Sequence, residues 1–326
     1  MLIVFEIWVF TTTFLNDFIY WPEALYNALL ESTSAVSMGL FIELFKDDGE
    51  DLVKGLMIDY EIFIYLNFIT VLMYAPGGYA GKYYYFIDHR PQFIHYFFPA
   101  ICLCALYMKQ HKKYVRPAVL LSVITFSIFR TWCATIVVAF VAALGFLASS
   151  YVLPKIIPVF KKWRMSFLFI MAVLANIFVV FIYAPGRFGF IDYIITDILK
   201  KNTTFTGRDR IWEAAKRMIM EKPLIGYGSY ARVEVSDTWE PLHAHNEILQ
   251  RLFITGIIGL ILFLIFHYLF IKNVDHKDRD IYLTVILGLV FGIYITYITE
   301  AYAWYFRLLP IFFMAYHYEE IVNKAE

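Results

Sequence analysis

The chain has 326 residues, of which 60% are hydrophobic, 20% are aromatic and only 17% are charged, and its mean hydropathy is +0.61. Soluble globular proteins carry roughly 45–50% apolar and about 25% charged residues, so this composition excludes an ordinary soluble domain and predicts helices that face lipid. The 28 basic and 28 acidic residues balance to a net charge of zero, which argues against nucleic-acid binding through bulk charge.

Ten apolar runs follow one another along the chain, each near the roughly 20 residues that a helix needs to cross a hydrocarbon core of about 30 Å. The chain is therefore predicted to be all-α, a polytopic transmembrane helical bundle of about 10 spans that forms a single integral-membrane domain over residues 1–326. The predicted spans are 2–20, 24–45, 54–75, 92–108, 115–131, 132–153, 165–184, 252–271, 281–299 and 302–318.

The orientation follows from three short connections rich in Lys and Arg, at 109–116, 155–164 and 272–279. With ten spans they fall on one side, and the positive-inside rule makes that side cytoplasmic. Both termini are then also cytoplasmic. The long polar segment 185–251 falls on the opposite side and is predicted to be a folded extracytoplasmic loop, because long loops in compact proteins are usually functional or disordered and this one is rich in apolar side chains.

Two helices are predicted within and after this loop. One starts at Thr206-Gly-Arg208, runs to about Glu221 and is stopped by Pro223, with Trp212 on the face that it shares with Arg208. The other begins near Asn246 and continues into the span 252–271.

His243 and His245 come directly before that second helix. Residues at i and i+2 do not share a helix face, and no nearby cluster supplies further ligands, so no metal site is predicted. At a helix N-terminus the dipole favours a neutral imidazole for His245, which can accept a proton. The alternative for His245 is an interfacial histidine without a chemical role, and Glu247 is a second candidate base.

Arg90, Arg130 and Arg208 all map to the predicted outer side, where arginine forks suit the oxygens of a phosphate. The alternatives are snorkelling to the interface for Arg130 and a solvated helix face for Arg208. Glu300, at the turn between the last two spans, is a candidate partner for an arginine. Together these residues predict a site for a lipid-linked diphosphate.

Four motifs in order resemble the O-antigen ligase and Wzy-type repeat-unit polymerase family. They are Thr206-Gly-Arg208 with Trp212, then Lys222-Pro-Leu-Ile-Gly-Tyr-Gly228, His243-Ala-His-Asn-Glu-Ile-Leu-Gln250 and Gly256-Ile-Ile-Gly259. The resemblance covers roughly residues 205–265. The family's arginine at an outer span end corresponds to Arg130, although the spacing after Ser127 departs from the usual pattern.

The resemblance implies a membrane glycosyltransferase of the GT-C type in the bacterial cytoplasmic membrane, with its active site on the extracytoplasmic face. It would use an undecaprenyl-diphosphate-linked glycan as donor and a second glycan as acceptor, without metal or cofactor. His245 would be the base, and Arg208 and Arg130 would hold the diphosphate. The predicted substrate-binding residues are Arg90, His243, Glu247, Arg210 and Trp212.

Three functions remain open at this point. Weak similarity to a capsular branch favours a polymerase of lipid-linked repeat units, working beside polysaccharide export machinery. A ligase that transfers the glycan to a lipid or protein acceptor is the alternative. A transporter for lipid-linked glycan would also need outward arginines, but it would be expected to show inverted repeats, which the sequence lacks. The count of about ten spans also leaves open an N-terminally incomplete chain.

Overall fold

The computed structural model describes residues 1–16, 21–74, 77–152, 165–183, 186–193, 196–197, 207–235, 243–302 and 305–323, and this part of the chain is helical apart from turns and short loops. Within it there is no strand, only an isolated bridge between Tyr84 and His89. The α-helices are α1 Leu2–Phe14, α2 Trp21–Phe45, α3 Gly49–Met73, α4 Ile94–His111, α5 Val115–Thr131, α6 Ala134–Tyr151, α7 Met165–Ile177, α8 Gly189–Tyr193, α9 Arg208–Glu221, α10 Glu247–Val274, α11 Ile281–Thr296, α12 Leu309–Tyr316 and α13 Tyr318–Asn323.

Each of the ten predicted apolar runs contains a helix, and five helical segments of the described chain are long and apolar enough to cross a membrane. The chain is therefore a helical membrane protein. The count of five differs from the predicted ten partly because α1, with 13 residues, rises only about 20 Å. The five segments are Pro22–Met73, Arg90–His111, Ala134–Tyr151, Met165–Ile182 and Glu247–Val274.

The first of these segments joins two predicted spans. Its 52 residues run through α2, a 3₁₀ turn at Lys46–Asp48 and α3. A continuous helix of that length would measure about 78 Å, more than twice the thickness of the hydrocarbon core. The turn divides it into two helices of 25 residues each, and it lies between the predicted spans 24–45 and 54–75.

The chain divides into two compact units. Unit 1 comprises Met1–Val36, Ser166–Ile271 and Tyr297–Trp304, and unit 2 comprises Ser37–Met165, Lys272–Thr296 and Tyr305–Glu326. Unit 1 contains the helix predicted in the long loop and both histidines before α10. Unit 2 contains Arg90 and Arg130.

Unit 2 contains a close helix pair, α6 with α11. A Cβ atom added at Gly288 would lie 2.9 Å from the carbonyl oxygen of Ala143, and one at Gly292 would lie 2.6 Å from that of Ala139. Small residues spaced by four on both helices let the backbones approach, as is common between membrane helices.

Unit 1 is organised by a break in α10. Gly256 has φ +65° and ψ −172°, a conformation that only glycine adopts readily. The turn 223–228 fills the break: Tyr227 N–H donates to Phe253 O at 2.9 Å, and Ile257 N–H donates to Pro223 O at 2.9 Å. The two glycine motifs of the sequence are thus one structural feature, which sets the direction of the first turns of α10.

The helix predicted in the long loop is confirmed as α9, and it ends at Glu221 as predicted. Its N-cap is Gly207, and Thr206, where the predicted start begins, lies outside the described residues. The apolar face of α9 packs against the first turns of α10 in one cluster. The cluster consists of Val180, Trp212, Ala214, Ala215, Ile219, Ala231, Val233, Ala244, Leu249, Phe253 and Ile254.

Candidate functional site

Arg208 is the first residue of α9, directly after a glycine that turns the chain. Gly207 has φ +85°, a left-handed conformation that carries a penalty for residues with a Cβ atom. This explains why a glycine precedes the arginine in the sequence. The buried ring of Trp212, one turn further on, fixes the orientation of the helix.

The loop that carries His243 and His245 is anchored by two hydrogen bonds to the backbone of Ala244. The indole N–H of Trp212 donates to Ala244 O at 2.9 Å, and Ala244 N–H donates to Oε1 of Gln250 at 2.7 Å. Ala244 itself is fully buried. Trp212 therefore binds the loop, and this buried position differs from the predicted contact between Trp212 and substrate.

His245 has a left-handed backbone, with φ +49°. Non-glycine residues in this region are uncommon and cost free energy, and they cluster at functional sites. The imidazole ring lies 4.0 Å from that of His243, centroid to centroid, and the His245 side chain is 31% exposed. The conformation places a partly accessible imidazole at the point where α10 begins.

Asn246 caps α10, so this helix starts where the sequence predicted. Its Oδ1 accepts the N–H of Leu249 at 2.9 Å, which satisfies one of the free donors of the first turn. Its Nδ2 donates to Oδ1 of Asn176 at 2.6 Å and to the carbonyl of Ile298 at 3.0 Å. One asparagine thus joins α7, α10 and the segment after α11.

Arg208, Glu300 and His245 come together at this end of unit 1. Nη2 of Arg208 lies 2.9 Å from Oε1 of Glu300, and Nδ1 of His245 lies 3.8 Å from Oε2 of the same carboxylate. The first contact is a charge-assisted hydrogen bond, and the second is ionic in range but too long for a hydrogen bond. The predicted pairing of Glu300 with an arginine is confirmed, and the arginine is Arg208.

The surroundings keep these groups in defined charge states. Burial lowers the pKa of His243 to about 4, and the neighbouring His245 acts in the same direction. Burial alone would raise the pKa of Glu300, but its interaction with His245 and the charge of Arg208 outweigh this effect, so that pKa lies below its ordinary value. At neutral pH the site therefore holds an ionised Glu300 beside a neutral His243.

Glu247 occupies the interior of unit 1. It is fully buried, and its Oε1 accepts the Nε–H of Arg251 at 2.7 Å while its Oε2 accepts the backbone N–H of Tyr302 at 2.7 Å. With both carboxylate oxygens engaged, Glu247 supports the scaffold, which differs from the predicted contact with substrate. Arg251 was not predicted as part of this region, although the sequence offered a signal in the acidic and basic residues at i and i+4 at the start of an apolar span.

Three predicted arginines remain, one in unit 1 and two in unit 2. Arg210 is exposed on α9. In unit 2, the guanidinium of Arg90 stacks over Tyr83 at 3.9 Å and donates to the carbonyl of Thr131 at 3.1 Å. Thr131 directly follows Arg130, so Arg90 and the end of α5 that carries Arg130 lie together within unit 2. The side chain of Arg130 is exposed.

Across the residues that the structure describes, no group of three or more His, Cys, Asp or Glu side chains could hold a metal ion. The arrangement offers instead one guanidinium, one carboxylate and one accessible imidazole. Such a set can bind an anion and accept a proton.

A family model described as O-antigen ligase matches residues 117–264. The match includes Arg130, Arg208, His243 and His245, whereas Arg90 and Glu300 lie outside it. No solved structure matches the chain.

Similar proteins occur in Rickettsia, where they are named as inferred polysaccharide ligases. The protein of Rickettsia conorii is 38% identical over 82 residues, which is 21% of this chain and 20% of that protein. Those of Rickettsia felis and Rickettsia typhi are 39% and 37% identical over 79 residues, each 20% of this chain and 19% and 20% of the relative. The matched region thus spans about a fifth of the length of these curated relatives.

Proposed function

We propose that this chain, which belongs to the O-antigen ligase family over residues 117–264, is a membrane glycosyltransferase that moves a glycan from a polyprenyl-diphosphate carrier to an acceptor hydroxyl. The observation that carries the proposal is the meeting of Arg208, Glu300 and His245 at the N-terminus of α10. A guanidinium beside an accessible imidazole suits a reaction that releases a diphosphate and removes one proton.

In this mechanism His245 takes the proton from the acceptor hydroxyl, and the acceptor oxygen forms a bond to the anomeric carbon. The bond from that carbon to the diphosphate oxygen breaks, and its electron pair leaves with the diphosphate. Arg208 stabilises the charge that develops on this leaving group. Attack opposite the leaving group inverts the anomeric configuration, and Arg130 and Arg90 are proposed from the sequence to assist in holding the diphosphate.

The acceptor separates two forms of this activity. The sequence motifs favour a polymerase, in which the acceptor is another lipid-linked glycan. The family match and the names of the Rickettsia proteins favour a ligase, in which the acceptor is a different lipid or a protein. We therefore propose ligase-type transfer, and the polymerase is the second candidate.

The carrier's polyprenyl chain needs an apolar path, and unit 1 offers one. An open groove of about 350 Å³ lies between α7 and α10, lined by apolar side chains that include Phe169, Leu174, Ile261 and Tyr268. We place the chain in the bacterial cytoplasmic membrane, with about ten spans, a GT-C-type architecture, cytoplasmic termini and the site on the outer face. Partners in polysaccharide export are part of the same proposal.

The proposal is tested in cells by following the lipid-linked glycan. His245→Ala and Arg208→Ala should abolish transfer, and glycan should accumulate on its carrier. If the accumulated glycan has normal polymer length, the protein is a ligase; if single repeat units accumulate, it is a polymerase. The matched controls are Arg217→Ala and His276→Ala, which should behave as wild type at equal expression. Arg217 is an exposed arginine on the same helix as Arg208, and His276 is an exposed histidine. Normal glycan in the two site variants would refute the proposed roles.

A further inference from the structure

The segment 297–302, which follows α11, is hydrogen-bonded to the start of α10. Four hydrogen bonds join them, and each uses a different donor. They are Glu247 N–H to Tyr297 O at 2.9 Å, Asn246 Nδ2–H to Ile298 O at 3.0 Å, Tyr302 N–H to Glu247 Oε2 at 2.7 Å and Arg251 Nη2–H to Tyr302 O at 3.1 Å. Since the segment is held at both ends, the side chain at its centre has a defined position.

That central side chain is Glu300. It is 6% exposed, and its two carboxylate oxygens face two different groups, Arg208 at 2.9 Å and Nδ1 of His245 at 3.8 Å. Nδ1 of His245 is itself buried and has no hydrogen-bond partner among the residues that the structure describes. The carboxylate of Glu300 therefore forms a hydrogen bond with Arg208, whereas its distance to Nδ1 of His245 is slightly too long for one.

A bound diphosphate would change this balance. Two anions, the diphosphate and Glu300, would compete for the same guanidinium, because an arginine fork binds carboxylate and phosphate oxygens by the same donors. Once Arg208 turns to the diphosphate, the buried carboxylate of Glu300 loses its hydrogen bond to the guanidinium, and a new charge-assisted hydrogen bond would compensate for that loss. Nδ1 of His245 lies 3.8 Å from Oε2 of Glu300, close enough for a small side-chain rotation to form this bond.

We propose that Glu300 is a positioning residue that holds Arg208 in the free protein and binds Nδ1 of His245 when a diphosphate occupies Arg208. This inference rests on the proposed function. The bond from Nδ1–H to Glu300 orients the ring so that Nε2 receives the acceptor's proton. The carboxylate stabilises the imidazolium that results and itself stays ionised, as the buried aspartate does in a serine-protease triad. His245 is therefore oriented as a base only when the diphosphate leaving group occupies Arg208.

The test separates binding from turnover in Glu300→Gln. This variant keeps the size of the side chain, removes the charge that competes for Arg208 and removes the anionic partner of His245. The expected result is a donor KM lower by roughly tenfold, together with a kcat lower by on the order of 10². A purely structural role would instead weaken donor binding.

The protein is reconstituted in nanodiscs, and binding of undecaprenyl diphosphate is titrated beside the kinetics. An unchanged or higher donor KM, or an unchanged kcat, overturns the inference. If Glu300→Gln does not fold, Glu300→Asp decides the matter, because its shorter side chain loosens both contacts and should lower KM and kcat together in smaller measure. Glu213→Gln, at a carboxylate 68% exposed on α9, is the control and should change neither parameter.

The same assay distinguishes this inference from the proposed function. Arg208→Ala should lose undecaprenyl diphosphate binding, and His245→Ala should bind it but not turn over. If both variants behave so while Glu300→Gln has wild-type kinetics, the function stands and the role of Glu300 is refuted. If Arg208→Ala and His245→Ala are both fully active, the proposed function fails first.

Discussion

Trp212 on α9 donates its indole N–H to the carbonyl of Ala244, 2.9 Å away and 32 residues further along the chain. Both residues are buried, so this one bond fixes the loop of His243 and His245 against the helix that begins with Arg208. Two motifs that look independent in the sequence are parts of one site.

Trp212→Phe should therefore reduce activity more than it reduces the stability of the protein. It keeps most of the ring but leaves the buried carbonyl of Ala244 without its donor, at a cost of about 1–3 kcal/mol. We expect a lower midpoint of thermal unfolding in detergent and a larger loss of glycan transfer. Trp8→Phe removes a comparable indole bond, to Thr255 O at 2.9 Å, and serves as the control. Equal losses of activity in the two variants would contradict a special role for Trp212.

Gly256 is expected to tolerate no side chain. A Cβ atom there would overlap the carbonyl of Leu224, and the φ of +65° adds backbone strain. Gly256→Ala should destabilise the protein by several kcal/mol, measured as a fall in the unfolding midpoint.

The control for this change is Gly145→Ala in α6, where no atom lies within 4 Å of the added Cβ. In a helix interior that exchange is expected to be neutral or to stabilise by about 1 kcal/mol. A Gly256→Ala variant as stable as Gly145→Ala would show that the break in α10 is not needed for the fold.

Acid should destabilise the protein through His243. Burial lowers the pKa of its imidazole to about 4, whereas an unfolded chain has a histidine pKa near 6.5. The unfolded state thus binds more protons between these values, and stability falls as the pH drops from about 6.5 towards 4, by at most about 3 kcal/mol.

His243→Gln cannot take up this proton, so its unfolding midpoint should fall less than that of the wild type between pH 7 and pH 5. This range lies above the region in which Glu300, with its lowered pKa, becomes protonated. Parallel pH curves for the two proteins would refute the assignment. Above pH 7 the two should differ by a constant amount.

The buried pair of Glu247 and Arg251 is expected to show strong coupling. Arg251 is 3% exposed and also donates to Tyr302 O, and Arg251→Met would leave the carboxylate of Glu247 buried without its cation. Breaking one side of a buried pair costs roughly 3–5 kcal/mol. The double variant Glu247→Gln/Arg251→Met should recover part of that loss in a double-mutant cycle on the unfolding midpoint, and additive losses would contradict the pairing.

Local patterns predicted the helices well. The C-terminal end of α9 follows from Pro223, and the N-terminal end of α10 follows from Asn246. Both residues act on the backbone within a few positions of themselves. The face of Trp212, Ala215 and Ile219 follows from helical periodicity, and the structure buries all three.

Long-range partners were harder to predict. Glu300 lies 92 residues after Arg208, and although a pairing with some arginine was expected, the choice of Arg208 depends on how the chain folds back after α11. The break at Gly256 was missed because a single glycine in an apolar run is compatible with an unbroken helix. The burial of Glu247 was missed for a related reason, since a polar residue near a helix start can face either water or the interior.

The central claim is that Arg208 and His245 transfer a glycan from a polyprenyl diphosphate. The most direct measurement uses the purified protein in liposomes with undecaprenyl-diphosphate-linked glycan and an acceptor, with a chelator present. The account predicts release of one undecaprenyl diphosphate per glycan transferred, with inversion at the anomeric carbon, and loss of both products in His245→Ala and Arg208→Ala but not in Arg217→Ala. Undiminished transfer in either site variant, or glycan moved without release of the diphosphate carrier, would contradict it.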